Sequence, residues 1–187
     1  FPHVYFAAGI HPEDLEGASL DDLEEVRELC RHPKCVAVGE IGLDYYWVKT
    51  KEDRERSRRF FDRQLTLSEE LDLPAIVHDR DAHRDVLDAV RAHPKARGVF
   101  HCCAMSVPDA LAAVELGWMV SFTGNVTFQT ARRGPEVIAA VPLERIMVET
   151  DAPYMTPEPF RGQRNHSGYV YRVVETIAQV KGLSVEE

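Results

Sequence analysis

The chain has 187 residues, of which 44% are hydrophobic and 28% charged, with a formal net charge of −9. Such a length carries one domain with a sizeable core, residues 1–187, and is short for two. No apolar run approaches the roughly 20 residues that cross a bilayer, the start does not read as an export signal, and the negative balance excludes polyanion binding by a global field.

In chain order, short β-rich runs alternate with amphipathic stretches. Val4–Gly9 reads as a first strand, followed by a helix with Leu23, Val26, Leu29 and Cys30 on one face. Cys35–Glu40 follows, then a long helix from about Glu52 to Leu71 with Phe61, Gln64, Leu65, Ser68 and Leu71 on one face and Phe60, Gln64 and Leu67 beside it. Leu73–His78 precedes a helix marked by Val86, Ala89 and Val90, and Gly98–Cys102 precedes one marked by Leu111 and Val114. Trp118–Phe122 leads to Val137, Ile138 and Val141, and Arg145–Thr150 leads to a last helix with Val170, Val173, Val174, Ile177 and Val180. The strands are apolar on both faces, as in a buried parallel sheet.

Strict alternation of this kind means parallel α/β architecture. An open sheet usually places a Gly-rich phosphate loop after its first strand; here that position reads Gly9-Ile10-His11-Pro12. A closed barrel instead places polar residues at successive strand ends, facing one site. The residues at or just past those ends are His11, Glu40, His78, His101, Thr123 with Asn125, and Asp151. The expectation is therefore a TIM-type (β/α)8 barrel, of which this chain covers about six βα units. Two histidines and two carboxylates, Glu40, His78, His101 and Asp151, form a nitrogen–oxygen donor set suited to Zn, Mn or Fe, and to Mg if water completes the shell. Burying such carboxylates is costly unless they are paired or bind metal.

The remaining features read more plainly. Cys30, Cys35, Cys102 and Cys103 match neither a zinc knuckle nor a disulfide framework, so reduced thiols and a cytoplasmic protein are expected. The arginines from Arg54 to Arg59 alternate with acids and read as a solvated helix face. Tyr45, Tyr46 and Trp47 can stack a base or cap the barrel. Arg80 can meet a phosphate or pair with Asp79 or Asp81.

The segments Gly9–Pro12, Gly39–Tyr45, Ile76–Ala82, Phe100–Cys102, Glu149–Tyr154 and Arg161–Asn165 together resemble the TatD-like metal-dependent deoxyribonuclease family, within the amidohydrolase-type barrels. The resemblance runs from about residue 4 to 180. It implies two divalent metal ions and phosphodiester hydrolysis, typically of DNA from the 3′ end. Glu40 would bridge the metals, His78 and His101 would hold one, and Asp151 would hold the other and serve as general base. His11 would stand near the metals or substrate, and Arg161, Arg164 and Asn165 would form a lip of the site.

Two departures accompany the resemblance. The family's first strand carries a His-x-His pair with no counterpart here, and the chain opens on Phe1, so the first two strands are expected to lie outside it. Cys103-Ala104-Met105-Ser106 also replaces the family's aromatic-Ser-Gly after His101-Cys102. The expected partner is DNA or a small phosphodiester, with a monomeric, non-membrane protein. The alternatives are an amide or ester hydrolase of the same barrel type, or a catalytically incomplete metal-binding fragment.

Overall fold

A computed structural model describes residues 1–186 and follows the expected order of strands and helices. The chain forms two compact units, residues 1–100 and the chain from His101 onward.

In the first unit, four parallel strands lie side by side in chain order: β1 (Phe6–Ala8), β2 (Cys35–Asp44), β3 (Ala75–Arg80) and β4 (Gly98–Phe100). The connecting helices are α1 (Leu23–Cys30), α2 (Lys51–Leu71) and α3 (His83–Ala92). Helix α2 starts where the Thr50 hydroxyl accepts the Asp53 backbone N–H at 3.1 Å and donates to the Asp53 carboxylate at 2.6 Å, a satisfied N-cap. It stops at Asp72, whose left-handed backbone (φ 53°) lets the Leu73 N–H reach the Ser68 carbonyl. Its buried face is Ser57, Phe60, Phe61, Gln64, Leu65, Leu67 and Ser68, and Leu71 at the helix end is only half-buried. The core of this unit sets Phe61 and Leu65 beside Val38, Ile41, Leu43, Val77 and Val86, all but closed to solvent. In α1 the buried face is Leu23, Val26 and Cys30, and Leu29 faces out, 48% exposed. Spacing by three and seven residues keeps the first three on one stripe, and Leu29 falls beside it.

In the second unit α4 (Val107–Glu115), β5 (Met119–Phe122), α5 (Arg133–Ala140), β6 (Ile146–Val148) and α6 (Val170–Lys181) succeed one another, with β5 and β6 parallel. Trp118, Val120, Phe122, Met105 and Ile138 make its core. Ser106 caps α4 with Pro108 in its first turn, and Gly182 ends α6 in a left-handed conformation.

The strand ends differ from those expected in a way that matters for the site. Strand β2 runs four residues past Glu40, to Asp44, and β3 runs two past His78, to Arg80. The continuation depends on Gly42, where a Cβ would lie 2.0 Å from the His78 carbonyl oxygen. Only glycine allows the two backbones to approach that closely. Glu40 and His78 are thus interior to their strands. Between β2 and β3 the register runs Gly39 to Ile76 and then Ile41 to Val77, so Glu40 is the extra residue of a bulge. A bulge re-aims the side chain it carries, here toward His78.

Candidate metal centre

Of the expected ligands, one histidine in each unit lies between carboxylates. In the first, His78 Nδ1 lies 2.9 Å from Glu40 Oε1, and His78 Nε2 lies 2.9 Å from Asp44 Oδ2. Asp44 is fully buried, and its other oxygen accepts the Trp47 backbone N–H at 2.7 Å. Burial works against a charged His78 ring, but the hydrogen bonds to Glu40 and then Asp44 outweigh it, so its pKa is raised above 6.5. A carboxylate only accepts, so each ring nitrogen donates to its own carboxylate, and a cation bound beside Glu40 would displace the proton of Nδ1 while buried Asp44 keeps the one on Nε2.

His11 joins this cluster from the loop after β1. Its ring meets that of His78 edge-on at 4.6 Å, and its Nε2 lies 3.7 Å from Glu40 Oε1. The loop is held by buried Gln64 of α2, which accepts the Ile10 N–H at 2.7 Å and donates to the Ile10 carbonyl at 3.0 Å. Ligand atoms of His11, Glu13 and His78 lie within 4.8 Å of one another. That spacing and the mixed nitrogen–oxygen chemistry fit a divalent cation.

In the second unit His101 follows β4. Its Nδ1 is 2.6 Å from Glu149 Oε2, and Glu149 Oε1 accepts the Cys102 N–H and the Ser121 hydroxyl, each at 2.7 Å. Burial is the largest single influence and raises the Glu149 pKa, but the His101 contact, the Ser121 hydroxyl and the Cys102 N–H together outweigh it and hold the pKa below 4.5. Nδ1 therefore carries the proton, and Nε2 is the nitrogen turned toward Asp151, 3.7 Å from its Oδ1. Asp151 and Cys102 both have left-handed backbones, with φ of 54° and 44°. Non-glycine residues in that region concentrate at functional sites. Burial pushes the Cys102 thiol up to about 12, which suits an inert packing group rather than a nucleophile. Thr123 and Asn125 lie against its sulfur, at 3.5 and 3.8 Å.

The other expected site residues have these positions. Asn165, 3% exposed, donates to the carbonyls of Thr150 and Tyr154 at 2.7 and 2.5 Å, and so braces the turn that carries Asp151. The Arg161 guanidinium lies 4.0 Å from the Phe128 ring centre, and Arg164 is exposed. Arg80 is exposed and stacks on Tyr46, while Asp79 pairs with His83 at 2.7 Å. Tyr45 turns its hydroxyl to Asp85 at 2.5 Å; Arg58 bonds both, and Arg54 covers the ring at 4.2 Å. Burial, then the Asp85 carboxylate, pushes the Tyr45 phenol up to about 12.

The Tyr45 bond, followed by Arg58, lowers the Asp85 pKa below 3.8 against the opposing effect of burial. A carboxylate depressed in the native state contributes stability above its unfolded pKa and loses it as pH falls through the native value. Asp85→Asn is therefore expected to cost about 1 kcal/mol at neutral pH. In urea titrations that difference should vanish in strong acid; a pH-independent difference would contradict the assignment.

Asp44, Glu149, Glu13 and Gln64 are the positions that sequence reasoning passed over. Asp44 and Glu149 lie inside the segments that carry the resemblance, each an acid within four residues of an expected ligand. Glu13 and Gln64 left no comparable signal.

A sequence profile described as TatD related DNase matches residues 1–187. The chain is 39% identical to the uncharacterized metal-dependent hydrolase YabD of Bacillus subtilis, over 100% of this chain and 73% of that protein. It is 39% identical to the uncharacterized metal-dependent hydrolase YcfH of Escherichia coli, over 99% of this chain and 69% of that protein. Among solved structures, YjjV, a TatD homolog from Escherichia coli, superposes with a TM-score of 0.91 at 32% identity, over 100% of this chain and 72% of that one. The α/β barrel class expected from strand–helix alternation is the class of this likeness, and the present chain carries six of the strands. Among the described residues no helix is long and apolar enough to cross a membrane.

Proposed function

The chain belongs to the TatD related DNase family of metal-dependent hydrolases, and from that premise we propose that it cleaves phosphodiester bonds of DNA, working from a 3′ end. The observation that carries the reading is the paired arrangement of His78 and His101. Each gives one nitrogen to a buried or half-buried carboxylate and turns the other toward a second carboxylate, Glu40 or Asp151. Such triads fix the tautomer and raise the basicity of a metal-ligating histidine.

The ligands of this reading are, in the first unit, Glu40 with His78 and, in the second, His101 with Asp151, and the ions are two divalent metals. When bound, the metals supply Lewis-acid activation of water and neutralise charge building on the phosphoryl oxygens. Asp151 takes the proton of the attacking water. Asp44 and Glu149 hold the two imidazoles in their ligating tautomers. Asn165 holds the Asp151 turn against its neighbours, and Gln64 holds His11 through Ile10. Arg80 and Arg161, exposed beside aromatic rings, offer positive charge to the substrate's phosphates, which favours a phosphodiester over a neutral amide.

The test is to load the protein with Mn or Zn and offer 5′-labelled single-stranded DNA alongside a panel of acylated amines. Progressive shortening from the 3′ end is expected. Turnover of an amide with no nucleotide released would overturn the reading and leave the hydrolase assignment intact.

A further inference from the structure

Tyr46 and Trp47 follow the last residue of β2 and are 42% and 58% exposed. Their rings meet edge-on, 4.7 Å apart. Arg80, the last residue of β3, places its guanidinium carbon 4.0 Å from the Tyr46 ring centre and 5.9 Å from that of Trp47. The Lys49 ammonium lies 5.1 Å from the same Tyr46 ring. Arg58, Arg91 and Arg97 each lie within 2.9 Å of a carboxylate. Among the described residues, the Arg80 and Lys49 side chains have no carboxylate partner. In a chain of net charge −9, two cations without counter-ions are held on one exposed aromatic pair.

We infer that Tyr46, Trp47, Arg80 and Lys49 form a stacking platform for a base of single-stranded nucleic acid, with the two cations on its flanking phosphates. The inference rests on the proposed nuclease reading and assigns where that substrate is held. Exposed aromatic faces accept any base, and arginine adds stacking and bidentate phosphate contact. A base within a duplex has both faces covered, so the platform selects single strands or frayed ends. The adjoining groove, about 530 Å³, is lined by Trp47, Lys49 and Arg56 together with Glu13, Glu16 and Asp53; the three acids repel phosphate, so the backbone keeps to the Lys49 and Arg80 side. The platform is also tied to the metal cluster of its own unit. The Trp47 N–H and His78 Nε2 bond to the two oxygens of one carboxylate, Asp44, at 2.7 and 2.9 Å.

Fluorescence provides the test, because the other tryptophan, Trp118, is 1% exposed. The metal-loaded protein is titrated with a phosphorothioate oligothymidylate of roughly eight nucleotides, and separately with tripolyphosphate. The oligonucleotide should quench emission and tripolyphosphate should not. Anisotropy of a labelled oligonucleotide should show about 10-fold weaker binding for Trp47→Ala and for Arg80→Gln, with Trp47→Phe restoring most of the loss. Equal quenching by tripolyphosphate, or unchanged affinity in both variants, overturns the platform. Hydrolysis of ordinary single-stranded DNA is followed in parallel. If cleavage persists while these signals are absent, the platform falls and the nuclease reading stands. If no DNA is cut, the nuclease reading falls whatever the fluorescence shows.

Discussion

Asp151→Asn is expected to lower hydrolysis about 1,000-fold or more while leaving the protein folded. Asp151 has φ 54°, a left-handed conformation that asparagine accepts nearly as readily as aspartate. The carboxylate is 30% exposed and 3.7 Å from His101 Nε2, so the amide fits the same space. What it loses is charge, and with it both a strong ligand and the acceptor for a proton from water. Glu40→Gln should behave alike, because the amide oxygen still meets the His78 ring while the anionic donor is gone. Far-UV circular dichroism and thermal midpoint should match the parent, with lower metal content by mass spectrometry. Full activity in either variant would refute the ligand assignment.

Strand–helix alternation made much of the fold legible, because apolar runs and 3.6-residue periodicity report burial directly. Most of the α2 face was legible, though Leu71 at its end is only half-buried and Ser57 near its start is buried, and the buried Gln64 within it was visible as a member of the stripe. Its task was not. Pinning Ile10, 54 positions away, depends on packing between elements, which periodicity does not encode. Glu40, His78, His101 and Asp151 stood out as candidates because acids and imidazoles close to apolar strand ends are costly without a partner. The strand limits were harder. Gly42 in the β2 run and the bulge at Glu40 leave no trace in a pattern of period two, so β2 reads as ending where it bends. The carboxylates behind the histidines were hidden for a related reason. Asp44 and Glu149 read as extra acids beside a ligand, and only their geometry separates an orienting group from a solvated one.

Those orienting groups give the second large effect. Glu149→Gln is expected to weaken metal binding about 10- to 100-fold. Glu149 accepts from three donors, His101 Nδ1 on one oxygen and the Cys102 N–H and Ser121 hydroxyl on the other. A glutamine has one oxygen and one NH₂, so one side must fail. If the NH₂ faces His101, the ring must accept at Nδ1 and carry its proton on Nε2, which blocks the ligand atom. If it faces Cys102, a backbone N–H loses its acceptor, at about 1–3 kcal/mol of stability. Asp44→Asn sets the same conflict between His78 Nε2 and the Trp47 N–H. Nitrogen-15 shifts of the imidazoles in metal-free protein read the tautomer directly, and a metal titration reads the affinity. In each variant either the tautomer of its histidine must switch or thermal stability must fall. Unaltered tautomers, stability and metal affinity together would show that the carboxylates do not orient the ligands, and that His78 and His101 are held by packing alone.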